Sequence, residues 1–229
     1  MKKQSVFILV AAILILGIGF FLASSSDDGQ NAQNQDIAGQ NDDVVAVVNG
    51  EEITRVDLDV ITSQVALQQG IDIAEIDEQT QNQIESQSIE AIVNQTLLGQ
   101  VAENSEVDVP ESEIDNQINM IKEQFQSEEA FQEALAMENV TEEELREQVR
   151  EGLLIETYLE QELSLSETAA TEEEVTQAYE QITSANQEIG TLDEIFEQIE
   201  NIVIQQKNSE AINQLIQELR DGAEIQVLI

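Results

Sequence analysis

The dipeptide Asn49-Gly50 constrains the fold of this chain more than any other feature, because it divides an alternating apolar run, VVAVVNGEEIT, at residues 44–54. Asn-Gly readily adopts the two positive φ angles that a two-residue hairpin turn requires. We therefore predict a hairpin with strands at 44–48 and 51–53. Two strands of this length are marginal alone, so they need a further partner.

A third strand is predicted at the far end of the chain. Residues 223–229 read AEIQVLI, in which Ile225, Val227 and Ile229 alternate as in a half-buried strand. We expect this segment to pair with 44–48 and to place the three side chains in the core. One small sheet would then join the two ends of the domain.

The sequence between these strands is typical of amphipathic helices, with apolar residues three and four positions apart. Helix starts are marked by Thr followed three residues later by Asp or Glu, the spacing of a capping box: Thr54 with Asp57, Thr141 with Glu144, Thr171 with Glu174 and Thr191 with Glu194. Helices are predicted after each of these four Thr residues, over 84–102, from Pro110 as first helical residue, and around Phe131 and Leu135. The expected ends of two of them are Leu163 and Gly222. The predicted fold class is mostly α with a small β-sheet.

Residues 1–23 are predicted to be a membrane anchor or a signal segment. The apolar run at 6–23 is close to the length that spans a bilayer. Lys2 and Lys3 precede the run and acidic residues follow it, which favours a cytoplasmic N-terminus and an extracytoplasmic remainder. Because the run is long for a cleaved signal, we favour one uncleaved transmembrane helix; a secreted or periplasmic form after cleavage is the alternative.

Residues 24–43, SSSDDGQNAQNQDIAGQNDD, contain no aromatic residue and a single large aliphatic one, Ile37. Such a segment cannot bury enough apolar surface to offset its chain entropy. It is predicted to be a disordered acidic and polar linker, which leaves residues 44–229 as the folded domain.

The charge balance limits the possible partners. There are 48 Asp and Glu against 8 Lys and Arg, for a formal net charge of −40. A surface of this sign repels polyanions, so nucleic acid is excluded as a partner. The acidic excess also predicts a halophilic protein, since concentrated salt screens the repulsion between the carboxylates.

The residue types required by most catalytic sites are missing. The sequence contains no His and no Cys, which removes thiol nucleophiles, His bases and the usual zinc ligands. The Glu triplets at 142–144 and 172–174 lie at predicted helix starts, where acidic side chains favour the positive end of the helix dipole. We therefore assign no catalytic, cofactor-binding or metal-binding residue and expect no cofactor.

The aromatic residues beyond the N-terminal run are few, and we expect them to fill the core: Phe125, Phe131, Tyr158, Tyr179 and Phe196. Met120 and Met137 offer the alternative of an adaptable peptide-binding surface, because thioethers pack against varied partners. The sequence assigns no individual peptide-binding residue.

Five stretches follow one another in the order and spacing of a known family: VVAVVNGEEIT, IEAIVNQTLLGQVAENSEVDVPESEIDNQI, FQSEEAFQEALAMENVTEEELREQVREGLLIETYL, TEEEVTQAYEQ and QQKNSEAINQLIQELRDGAEIQVLI. Together they resemble the N-terminal chaperone domain of SurA- and PrsA-type folding factors, which are related in organisation to trigger factor. The resemblance covers essentially residues 44–229. It implies a helical chaperone domain closed by the hairpin and the C-terminal strand.

The resemblance departs from the family at one place. A parvulin-type prolyl isomerase domain, about a hundred residues long, commonly lies between the TEEEV helix and the closing helix. The interval from Tyr179 to Leu192 has no room for it. The resemblance therefore implies an ATP-independent holdase that binds unfolded exported proteins outside the cytoplasmic membrane, and no enzyme. A membrane-tethered adaptor for one specific partner and a prolyl isomerase are the alternatives.

Overall fold

The computed structural model describes residues 44–69, 71, 77–125, 127–137, 140–185 and 190–229. These residues form three strands, seven α-helices and one 3-10 turn, so the mostly helical fold with a small sheet is confirmed. The strands are β1 (Val44–Val48), β2 (Glu51–Thr54) and β3 (Ile225–Val227). The helices are α1 (Arg55–Gln68), α2 (Glu78–Glu103), α3 (Glu111–Lys122), α4 (Glu128–Met137), α5 (Glu142–Leu163), α6 (Glu172–Ala185) and α7 (Leu192–Gly222), and the 3-10 turn (Leu165–Glu167) follows α5.

The three strands form one antiparallel sheet in the order β2-β1-β3. The hairpin turn has the positive φ angles expected of its sequence, 53° at Asn49 and 91° at Gly50. Val48 lies opposite Glu51 on one side and Ile225 on the other. The predicted hairpin and its pairing with the terminal strand are therefore confirmed, with β2 one residue longer than expected.

The terminal strand is shorter than predicted, and one expectation about its side chains is wrong. β3 covers Ile225–Val227 instead of 223–229. Ile225 packs against the core, whereas Val227 and Ile229 are 48% and 56% exposed. The burial does not alternate along the strand, because residues 226–229 are all exposed, and Val227 and Ile229 line a shallow groove beside Arg55.

The predicted capping residues begin their helices. Asp57 accepts hydrogen bonds from the backbone N–H and hydroxyl of Thr54 at 2.8 and 2.7 Å, and equivalent bonds join the three Thr–Glu pairs that precede α5, α6 and α7. These side chains satisfy backbone groups that the first helical turn leaves unpaired. The predicted ends at Leu163 and Gly222 are also confirmed.

Two helix starts differ from the prediction. α2 begins at Glu78 instead of Ile84, because Asp77 caps it by accepting from the N–H of Thr80 at 2.8 Å. This first turn is polar and therefore carries no apolar periodicity. Pro110 is the N-cap of α3 and not its first helical residue, since its ψ of 136° is extended.

The apolar side chains form three separate clusters. The first lies between the sheet, α1 and α2, and the C-terminal end of α7 packs against it through Leu219 and Ala223. The second joins the residues before and within α3 to α4 and the N-terminal half of α5. The third lies between α6 and the N-terminal half of α7. At 31 residues α7 is about 46 Å long, so it reaches from the third cluster to the first.

The aromatic residues follow the prediction with one exception. Phe131 and Tyr158 are buried at 1% and 9% exposure, and Tyr179 and Phe196 pack against the third cluster. Phe125 is 36% exposed, so its expected place in the core is wrong. It follows the last turn of α3, and its ring lies 5.5 Å from that of Phe131 in an edge-to-face arrangement.

The predicted anchor at 1–23 and linker at 24–43 lie outside the described residues. Among the residues that the structure describes, no helix combines the length and the apolar character needed to cross a membrane.

Candidate functional site

An open cleft of about 640 Å³ lies between α3, α5 and α7. Helices α3 and α7 each pack on α5, which forms the floor of the cleft. Its volume is within the usual range of ligand-binding clefts. This is the candidate functional site.

The floor is one face of the C-terminal half of α5. Leu153, Glu156, Thr157 and Glu160 are spaced by three, four and seven residues, which places them in one row along a helix. The hydroxyl of Thr157 donates to the carbonyl of Leu153 at 2.7 Å, so its polar group is satisfied within the helix and its methyl group is free to face the cleft. The N-terminal half of the same helix belongs to the second apolar cluster.

The walls also use helical spacing. Glu113, Asn116, Gln117 and Met120 form one face of α3. On α7 the residues recur in the same way from one turn to the next: Asn201, Ile204, Gln205, Asn208, Ser209 and Ile212. This segment of α7 lies between its contacts with the third cluster and with the first, so the two ends of the helix are packed while its middle faces the cleft.

The 3-10 turn after α5 closes one end of the cleft. Ser164 adopts a left-handed conformation with φ of 50°, which turns the chain back so that Leu165 is buried against the helices. The Nδ2 of Asn208 donates to the carbonyl of Leu165 at 3.3 Å, and the backbone N–H of Ser166 donates to Glu160 at 2.9 Å. These bonds hold the turn against α7 and α5.

Most of the accessible lining surface is apolar. The apolar side chains that line the cleft are Met120, Leu153, Leu159, Leu165, Ile204 and Ile212. An open apolar surface of this kind has no covering element in the described chain and is typical of binding sites for other molecules.

Three carboxylates, Glu113, Glu156 and Glu160, lie among these apolar groups. Burial raises the pKa of Glu156, and the negative charges of Glu113 and Glu160 raise it further. None of the ion pairs between described residues involves any of the three, and none of the described lining residues is basic. The cleft therefore combines an apolar lining with negative charge that no described basic residue neutralises.

The two methionines singled out in the sequence have different positions. Met120 lines the cleft and is 46% exposed, whereas Met137 is 82% exposed and does not line it. The sequence assigned no other residue of the cleft. Periodicity identifies an apolar helix face but not whether another element covers that face, so it did not identify Ile204 and Ile212 as lining the cleft.

Three residues of the Glu triplets have structural roles. Glu144 and Glu174 cap α5 and α6, and Glu142 accepts from Lys122 at 2.6 Å. A hydrogen bond from Lys207, with others from Thr171, lowers the pKa of Glu174 to about 2. Within the described part of the chain, no group of acidic side chains is arranged to hold a metal ion.

A family model described as the SurA-like N-terminal domain matches residues 1–159, which is more than half of the chain. The chain belongs to this family. Among curated proteins, none matches the chain significantly.

The match of the SurA-like N-terminal domain ends within α5. It therefore includes α3 and most of the floor of the cleft, while α6, α7 and β3 lie beyond it. No parvulin-type domain is evident between α6 and α7, which the chain joins directly through residues 186–191. The SurA-like family is chaperone-like or associated with prolyl isomerases, and its domain is consistent with binding polypeptides.

Proposed function

We propose that this protein is an ATP-independent holdase that binds unfolded exported proteins in the cleft between α3, α5 and α7. The observation that carries the proposal is the open, mainly apolar cleft that α3 and α5 of the SurA-like N-terminal domain form with α7. Unfolded chains expose apolar side chains, and burial of these groups against Met120, Ile204 and Ile212 would be favourable at about 25 cal/mol per Å².

The charge of the molecule supports this function. Binding unfolded chains brings apolar surface together and favours aggregation of the complex. A net charge of −40 opposes this, because loaded complexes repel one another. The acidic exterior is thus suited to keeping a bound client in solution without ATP hydrolysis.

The proposed function does not include prolyl isomerisation. The chain has no His or Cys, and the short connection from α6 to α7 leaves no place for a parvulin-type insertion there. We expect prolyl cis/trans exchange in a test peptide to keep its uncatalysed rate, tens to hundreds of seconds, when the protein is added. Acceleration of this exchange would support an isomerase instead.

The proposed location is the outer side of the cytoplasmic membrane. The apolar run at 6–23 with Lys2 and Lys3 before it supports a single-pass anchor that leaves residues 24–229 outside. Cell fractionation should place the full-length chain in the membrane fraction. Recovery of a soluble form that begins near Ser26 would show a cleaved signal instead.

The holdase activity is tested by light scattering from a chemically denatured client diluted into buffer. The full chain, kept in solution by a nonionic detergent, should suppress aggregation at a near-stoichiometric ratio in high salt without nucleotide. A double variant, Met120→Gln with Ile204→Gln, removes apolar surface from the cleft and should require at least about twice as much protein for equal suppression.

A matched control changes the same residue types outside the cleft. Met137 and Ile202 are 82% and 45% exposed and do not line it. Met137→Gln with Ile202→Gln should suppress aggregation as well as the unchanged protein, and circular dichroism should show equal helicity for all three proteins. Equal activity of the two double variants would exclude the cleft, and no suppression combined with tight binding of one folded protein would favour an adaptor.

A further inference from the structure

We propose that the cleft selects apolar client segments that carry Lys or Arg, with Glu113, Glu156 and Glu160 as the specificity-determining residues. This inference rests on the proposed function, because it specifies which polypeptides the cleft holds. It follows from the combination of an apolar lining with uncompensated negative charge.

The three carboxylates are arranged around one space. Glu156 and Glu160 lie one turn apart on the floor helix α5, and Glu113 is on the facing wall, α3. Burial raises the pKa of Glu156, and the negative charges of Glu113 and Glu160 raise it further. A cation between them would reduce this repulsion and recover part of the desolvation cost.

The residues that the structure describes provide no such cation. Every Lys and Arg in the described ranges already pairs with carboxylates elsewhere: Arg55, Lys122, Arg146, Arg150, Lys207 and Arg220. Lys and Arg suit the site in a client because their aliphatic stems can lie along Leu153 or Ile204 while their charged ends reach the carboxylates. Acidic client segments would be repelled.

This preference differs from a general attraction of basic peptides to an acidic protein. Charge spread over the surface is screened within roughly 10 Å at 0.1 M salt. The cleft carboxylates act at contact distance and beside apolar walls, where the effective dielectric constant is lower and the interaction is stronger. If the preference for basic segments arises in the cleft, its loss will depend on which three glutamates are neutralised. A preference that arises from the overall charge will not.

The test uses fluorescence anisotropy with three versions of one short apolar peptide, bearing two Lys, two Gln or two Glu. The full chain is held in nonionic detergent at the lowest salt concentration at which circular dichroism shows the fold. We expect the Lys peptide to bind at least about fivefold more tightly than the Gln peptide, and the Glu peptide more weakly than either.

Two triple variants with the same net charge separate the cleft from the surface. Glu113→Gln, Glu156→Gln and Glu160→Gln together should reduce the preference for Lys over Gln to less than about twofold. Glu133→Gln, Glu143→Gln and Glu197→Gln change exposed residues outside the cleft and should leave the preference intact.

The outcomes distinguish this inference from the holdase proposal. Tight binding of the Gln peptide with no preference for Lys would overturn the charge selection alone. Equal loss of preference in the two triple variants would assign it to the overall charge and would also overturn the inference. If none of the peptides binds and the unchanged protein does not suppress client aggregation, the holdase proposal itself fails.

Discussion

Asn49 and Glu224 exchange two hydrogen bonds across 175 positions of sequence. The backbone N–H of Asn49 donates to the carbonyl of Glu224 at 2.8 Å, and the backbone N–H of Glu224 donates to the Oδ1 of Asn49 at 2.9 Å. The Nδ2 of Asn49 also donates to the Oε1 of Gln100 at 2.8 Å. One turn residue therefore joins the hairpin to both α2 and the start of β3.

Replacing Asn49 should destabilise the protein, because this residue occupies the hairpin turn. Asn49→Ala removes both side-chain bonds and places a residue with little tolerance for positive φ at 53°. We expect a loss of about 1–3 kcal/mol in the free energy of unfolding, measured by urea denaturation of the full chain. Asn49→Gly should lose less, because Gly retains the conformation and forfeits only the hydrogen bonds.

The control for Asn49 is Asn213→Ala, which changes an exposed helical residue of α7. Ala has the higher helix propensity, so this change should be neutral or slightly stabilising. If Asn49→Ala is no more destabilising than Asn213→Ala, the turn does not contribute to closure of the domain.

The terminal strand offers a comparison of two neighbouring apolar residues. Ile225 packs against the first apolar cluster, while Val227 is 48% exposed. Ile225→Ala should lower the melting temperature and cost roughly 1–2 kcal/mol, whereas Val227→Ala should remain within about 0.5 kcal/mol of the unchanged protein. Equal losses for the two variants would contradict the observed burial of the strand.

A buried carboxyl group predicts a pH-dependent stability. Glu151 of α5 is partly buried against α2. Its Oε1 would lie only 3.3 Å from the Cβ atom of any residue that replaced Gly99 of α2. Burial raises the pKa of Glu151 from 4.5 to about 7, with further contributions from Glu103 and Glu51. Folding thus favours the protonated form.

Because the pKa of Glu151 is raised in the folded state, its charged form destabilises the fold. Below about pH 4.5 the group is protonated in both the folded and unfolded states and has no effect, while above about pH 7 the folded state bears the full cost of its charge. Glu151→Gln should therefore stabilise the protein at about pH 8, on the order of 2 kcal/mol, and the gain should disappear near pH 4. Thermal unfolding at both pH values measures this gain in stability, and Glu143→Gln, which changes an exposed residue, is the control. A gain independent of pH would contradict the raised pKa.

Salt should stabilise the fold. With 48 acidic against 8 basic residues, repulsion outweighs the few ion pairs that salt would weaken. Between 0.1 and 1 M salt the screening length falls from about 10 to about 3 Å. The melting temperature of the full chain should rise over this range of KCl, and sucrose of equal osmolarity should not reproduce the whole increase. A melting temperature independent of salt would remove the halophile hypothesis.

The sequence by itself determined the elements that depend on near neighbours. Asn49-Gly50 specified the hairpin turn, and four Thr residues, each with an acidic partner three positions later, specified four helix starts. These signals are strong because the hydrogen bonds of a turn or a cap form within a few residues. The pairing of the terminal strand was also predictable, since a short hairpin needs a partner and the alternation in residues 223–229 supplied one.

Burial was decided only by the tertiary structure, because it depends on which distant elements come to cover a given face. Alternation treats Ile225 and Val227 alike, but only Ile225 meets the end of α7 and the first cluster. Periodicity likewise places Val203 and Ile204 on one helix, yet Val203 is buried under α6 while Ile204 opens into the cleft. The cleft exists because α3 and α7 both pack on α5 and are held apart above it, a relationship between helices that no local pattern in the sequence encodes.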